Sequence, residues 1–202
     1  MRYAATLISP RHIITAAHTM LNVGNVFRFI TQDNVVVERT MTAKLLHPGY
    51  AAPTWFPDLA VGLLDSDVPA TISFAKILPA DWKDYLSRYG CGVPVMVLDQ
   101  EEKALVADLR YISDPDQAEA KAVLWTSPQD ATRLSFYETV VDGDCGNPGL
   151  MVIDDELVIL TAITGNGGDD ISYYQDNINT MMTTLGGGYQ LTPIDLSKYA
   201  ST

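Results

Sequence analysis

The sequence predicts an all-β protein of two antiparallel, barrel-like lobes with six strands each, ending in a C-terminal helix. Three observations carry this expectation. Short runs rich in Val, Ile, Leu, Thr and Tyr recur along the chain, parted by Gly, Pro, Asn and Asp, as in paired strands joined by tight turns. The runs fall into two series around a Pro- and Trp-containing stretch, LPADWKDYL. One segment near the C-terminus switches to helical spacing.

The first series covers residues 3–9, 12–15, 26–31, 35–40, 42–47 and 59–65. Asp33-Asn34 supplies the tight turn between the third and fourth runs. Residues 78–86 follow, with Asp81 as the N-cap of a short helix, and with residues 90–92 they connect the lobes. The second series covers residues 93–99, 103–113, 120–126, 133–138, 149–153 and 156–164. The expected organisation is therefore a first lobe over 1–78, a connection over 79–92 and a second lobe over 93–202. A helix over 174–185 places Ile178, Met181, Met182 and Leu185 on one face, and three glycines at 186–188 stop it. The Met pair reads as core packing rather than a ligand surface.

Composition narrows the function classes. A chain of 202 residues can bury a substantial core. Its formal charge of −12 argues against nucleic acid or an anionic membrane surface as partner. No apolar run approaches the roughly 20 residues of a membrane-spanning helix, and the opening MRYAATLISPRHIIT lacks the long apolar stretch of a signal peptide. Two cysteines, Cys91 and Cys145, permit at most one disulfide, so stability is expected from the core. Cys91 reads as a small buried side chain in the connection.

Three segments carry chemistry. Thr15-Ala16-Ala17-His18 follows an apolar strand, Asp58 stands in PDLAVGLLD just ahead of another, and Cys145 sits in the glycine-flanked turn Gly143-Asp144-Cys145-Gly146-Asn147-Pro148. Taken singly, His18 and Asp58 read as strand-end residues. Taken together and in this order, the three segments resemble the trypsin/chymotrypsin superfamily of peptidases, with its TAAH motif, its aspartate ahead of a strand and its GDSGGP loop. His47-Pro48-Gly49-Tyr50 is similar to the HPxY stretch that precedes the family's aspartate, which makes His47 a structural loop residue. His12 is expected to be exposed.

The resemblance covers most of the chain and implies the chymotrypsin fold, with Cys145 as nucleophile, His18 as general base and Asp58 orienting His18. It implies an oxyanion hole from the N–H groups of Gly143 and Cys145. The sequence departs from the pattern at four places. Cys stands where most members have Ser, which resembles the picornavirus-type cysteine proteases and fits equally a serine-protease lineage with the nucleophile replaced. Thr19 occupies a position often held by a disulfide-forming Cys, and Asn147 replaces the second glycine of the loop. Little chain precedes His18, so either the first lobe closes without its opening strand or the chain is a fragment. In the first case Asp144 is expected to find a partner other than a freed N-terminal amine, and an edge near residues 3–9 is open for pairing.

By motif alignment the primary specificity pocket would involve residues 139–142 and 161–163, among them Thr139, Asp142, Thr161 and Ile163. Thr139 falls where trypsin-like enzymes keep a buried aspartate, so a neutral or small side chain is expected there rather than Lys or Arg. The histidine with which the virus enzymes read glutamine is not evident. The resulting expectation is an endopeptidase acting on proteins or peptides, its own precursor among the candidates, with no cofactor. The alternative is a catalytically silent binding or structural module on the same fold. Metal binding through His12, His18 and His47 fails on spacing.

Overall fold

The computed structural model describes residues 4–52, 55–85, 92–112 and 121–199. Tyr3, Leu86, Gly90, Cys91, Ser113 and Ala120, which bound or occupy expected segments, lie outside them. The chain is mostly β, in two curled antiparallel sheets with one longer helix near the C-terminus.

The first sheet contains β1 (Thr6–Leu7), β2 (His12–Thr15), β3 (Val26–Ile30), β4 (Val36–Leu46) and β5 (Ala60–Leu64), in the order β1-β2-β5-β4-β3. Among the described residues it has five strands where six were expected. The runs 35–40 and 42–47 are one strand, β4, which bends at an irregularity in its pairing with β5 between Met41 and Ala43. A bulge lets one long strand serve two partners, since the outer part pairs with β3 and the inner part with β5. Between β3 and β4, Asn34 takes a positive φ of 60°, as its place in the hairpin turn requires. β1 is an edge strand.

The second sheet contains β6 (Pro94–Leu98), β7 (Ala104–Ile112), β8 (Ala122–Thr126), β9 (Pro148–Ile153), β10 (Glu156–Ala162) and β11 (Gly167–Asp169), ordered β10-β9-β6-β7-β8-β11. The strand expected over 133–138 is absent. Instead a four-residue helix, α1 (Ala131–Leu134), forms there. Its cap is Asp130, whose carboxylate accepts the Thr132 N–H at 2.9 Å. Arg133 turns back to reach Asp108 at 2.7 Å. β11, a Gly-Gly-Asp segment, was not foreseen; it pairs with β8 from Gly167↔Leu124 to Asp169↔Ala122.

Among the described residues of the connection, Trp82–Asp84 form a single 3-10 turn, and the Asp81 side chain makes no capping bond. Trp82 is buried in the core of the second lobe, so that turn is set by packing rather than by its cap. The helix α2 (Gln175–Leu185) agrees with expectation to within a residue, and Ile178, Met181 and Met182 are its buried face. Gly186, at φ 89°, ends it by turning its N–H onto the carbonyls of Met182 and Thr183.

Apolar packing divides among the two lobes and the seam between them. In β2, Ile13 points into the first lobe, whereas Ile14 joins Ile8, Leu59 and Val61 against Ile159, Ala162 and Ile171 of the second. Helix α2 closes this seam with Ile178, Met181 and Met182. Each such side chain contributes about 1.5–3 kcal/mol when fully buried, so the seam fixes how the lobes face one another. His12, expected at the surface, is fully buried beside it. Its Nε2 donates to the Gly186 carbonyl at 2.9 Å and its Nδ1 accepts from Ser9 Oγ at 2.8 Å, which ties β2 to the end of α2. Burial lowers its pKa, which suits the neutral ring these two bonds require.

Candidate active site

The segments singled out by sequence converge on the end of β2 and the start of β5. His18 stands three residues beyond β2, and its Nδ1 lies 2.5 Å from Asp58 Oδ2. Asp58 Oδ1 accepts the backbone N–H of His18 at 2.9 Å, so the carboxylate grips the residue at two points. The Asp58 carbonyl in turn accepts the Ala17 N–H at 3.2 Å. With Nδ1 donating to a carboxylate, the neutral imidazole carries its free lone pair on Nε2. Asp58's side chain is 8% exposed and that of His18 42%, which places the acid behind the ring and leaves the ring edge to solvent.

Neighbouring motifs brace this pair. His47 is buried, accepts the Gly49 N–H at Nδ1 (3.0 Å), and meets the Tyr174 ring edge-on at 5.1 Å. A Cβ on Gly49 would come within 2.9 Å of Pro57, so the glycine lets the turn lie flush against the residue before Asp58. His47 is thus a structural residue. Thr19 is buried and its hydroxyl donates to the Ala16 carbonyl at 2.8 Å, stabilising the His18 turn with a hydrogen bond.

The Cys145 turn is held by its own backbone. The buried Asp144 carboxylate accepts the N–H of Gln100 (3.0 Å) and of Val141 (2.8 Å), so two amides satisfy the charge, and no amine pairs with it among the described residues. Asn147 donates from its side chain to the Asp144 carbonyl at 3.2 Å. Gly143 has φ 111°, a left-handed backbone angle that favours glycine, and a Cβ there would meet the end of the Gln100 side chain. Among the described residues, the N–H groups of Gly143 and Cys145 make no hydrogen bond to another residue.

Gly146 brings the turn to the other lobe. Its N–H donates to the Ile163 carbonyl at 2.9 Å. A Cβ on it would lie 2.4 Å from Thr15 Oγ1 and 2.6 Å from the Ala4 carbonyl, so the Cys145 turn rests on the strand that leads to His18. Cys145 is half-buried and its thiol is free. No hydrogen bond joins its Sγ to His18 among the described residues. Burial pushes the Cys145 thiol up, and the carboxylates of Asp58, Asp142 and Asp144 push it further. The resting group is therefore a neutral thiol at physiological pH.

The four residues aligned with the specificity pocket separate. Thr139 and Asp142 are exposed, whereas Thr161 and Ile163 are fully buried. The Thr161 hydroxyl donates inward to the Ala162 carbonyl at 3.1 Å, and Ile163 belongs to the second lobe's core. A cleft of about 500 Å³ opens between Phe56, Tyr174 and the glycine-rich wall 165–168. Sequence reasoning missed one residue at its edge: Asp169, on β11, whose Oδ2 accepts the Asp58 N–H at 2.7 Å. No motif marks it. Compared with protein-family models and with curated proteins, the chain matches none.

Proposed function

We propose that this protein is a chymotrypsin-type endopeptidase that hydrolyses peptide bonds with Cys145 as nucleophile, His18 as base and Asp58 as the group that orients and stabilises His18. The observation that carries the reading is the two-point grip of Asp58 on His18, which sets the tautomer a base needs and leaves Nε2 free. An ordinary strand-end ion pair would not also order the histidine's backbone. The nucleophile turn against Thr15 supports the same reading.

In this reading, Cys145 Sγ attacks the scissile carbonyl while His18 Nε2 takes the thiol proton. The upward shift of the thiol favours proton transfer during attack over a preformed thiolate–imidazolium pair. The N–H groups of Gly143 and Cys145 supply donors for the oxyanion, each worth about 2.7–4 kcal/mol. As the C–N bond breaks, His18 returns its proton to the leaving amine and a thioester remains. His18 then removes a proton from water, whose oxygen displaces the thiol. A peptide strand would lie along the 165–168 wall of the cleft.

The absent Cys145–His18 hydrogen bond and the raised thiol favour one rival, a silent module on the same scaffold. Incubation with a peptide library and mass-spectrometric detection of new termini decides between them. The peptidase reading expects cleavage that is abolished in Cys145→Ala and reduced about 10³-fold or more in His18→Ala. If wild-type protein cuts nothing, and Cys145→Ser cuts nothing either, the silent module stands.

A further inference from the structure

The base and the nucleophile belong to different lobes, and one side-chain bond crosses directly between the lobes at the His18–Asp58 pair. It comes from Asp169, which is 7% exposed and accepts the backbone N–H of Asp58 at 2.7 Å. Asp58 is thereby fixed at its N–H, its carbonyl and both carboxylate oxygens.

The bond is delivered through packed backbone. Ile163 exchanges hydrogen bonds with the nucleophile turn, donating to Asn147 and accepting from Gly146 at 2.8 and 2.9 Å. A Cβ on Gly168 would sit 2.3 Å from the Ala162 carbonyl, so β11 lies flush on the end of β10 and Asp169 follows at once. Cys145 and Asp58 are therefore joined by a short, stiff path that passes through Asp169.

A merely structural role would be cheaper without a charge. Among the described residues the Asp169 side chain makes one hydrogen bond and no ion pair. The groups around it are Asp58 from the loop before β5, Asp170 beside it in the chain, and Tyr174 at the start of α2. Asp170 spends one oxygen on the N–H groups of Ser172 and Tyr173. Lys121, the one cation on the cleft wall among the described residues, holds its ammonium 4.8 Å over the Tyr173 ring. An amide could accept the same bond without desolvating a charge.

We propose that Asp169 is a positioning residue for the His18–Asp58 pair: from the nucleophile's lobe it locks Asp58 in place and backs the imidazole with a second negative charge. This rests on the peptidase reading above. During attack His18 becomes positive, and a carboxylate behind Asp58 stabilises that form more than the neutral one. Burial and the Asp58 charge raise the Asp169 carboxyl to about 6, so the backing is present at neutral pH and withdrawn in mild acid.

The test uses wild-type protein and Asp169→Asn. In a ¹H–¹⁵N spectrum of the wild type, the Asp58 amide titrates with a midpoint near 6; in Asp169→Asn it stays flat over the same range. With a cleaved peptide at pH 8, the variant loses about tenfold in kcat with KM nearly unchanged, and the wild-type to variant ratio falls toward one below pH 5. The ratio cancels any titration that both proteins share. A wild-type Asp58 amide that ignores pH, or a variant with wild-type kcat at pH 8, overturns the proposal. Should wild-type protein cut no peptide, the peptidase reading falls, and the amide titration alone decides whether Asp169 holds Asp58.

Discussion

Asp169→Asn should make the protein more stable at neutral pH, and the size of the gain follows from burial of the charge. The carboxyl is raised from an ordinary 3.8 to about 6 because burial disfavours its ionised form. The folded state therefore holds this proton more tightly than the unfolded chain does. That stabilisation is complete below about pH 4 and is lost as pH rises through about 6. A difference of about 2 pH units at 1.36 kcal/mol each makes the ionised group a burden on the order of 3 kcal/mol above pH 6. Asparagine carries no charge and keeps an oxygen for the Asp58 N–H, but a neutral acceptor gives up about 1 kcal/mol of bond strength. The net gain expected at pH 7.5 is about 1–3 kcal/mol, shrinking to zero or below near pH 4. Urea unfolding followed by fluorescence of the buried Trp82 and Trp125 reads it, with both proteins measured at pH 4 to 7.5 so that shared titrations cancel. A stability difference that does not change with pH, or a variant weaker than wild type at pH 7.5, would refute the reasoning.

Gly146→Ala combines a left-handed φ of 88° with a Cβ 2.4 Å from Thr15 Oγ1, and should cost roughly 2–4 kcal/mol in urea unfolding. Gly24→Ala, with a similar φ but open space around it, should cost only about 1–2 kcal/mol; equal losses would remove the claimed contact between the turn and β2. Arg133→Ala leaves the Asp108 carboxylate, 3% exposed, without its cation, and should destabilise by about 3 kcal/mol, with recovery on adding Asp108→Asn. Alkylation of Cys145 by iodoacetamide should keep accelerating above pH 9, because thiolate forms only at pH values above the ordinary thiol range; a plateau by pH 7.5 would contradict the acidic surroundings described for the thiol.

Much of the architecture is legible because strands and turns declare themselves locally. The Val- and Ile-rich runs, the Asn34 turn and the Ile178–Met182 face of α2 each need only neighbours in sequence. The failures share a cause. Residues 133–138 look like a strand, but Asp130 caps a helix and Arg133 answers Asp108, 25 residues away. β11 has no β-forming side chain, and its place depends on the surfaces of β8 and β10. His12 is polar, yet Ser9 and Gly186 satisfy both ring nitrogens in the interior. At the candidate site, residue order brings out His18, Asp58 and Cys145, because a motif records spacing along the chain. It does not record that Thr161 faces inward, nor that a carboxylate 111 residues beyond Asp58 accepts its N–H.

The central claim, that His18 and Asp58 activate Cys145, is tested most directly by intact-mass measurement after brief exposure to a peptidyl electrophile. A single adduct is expected on Cys145 in the wild type, formed far faster than with a free thiol of similar exposure, and strongly slowed in His18→Ala and Asp58→Ala. Equal rates in all three proteins would contradict it.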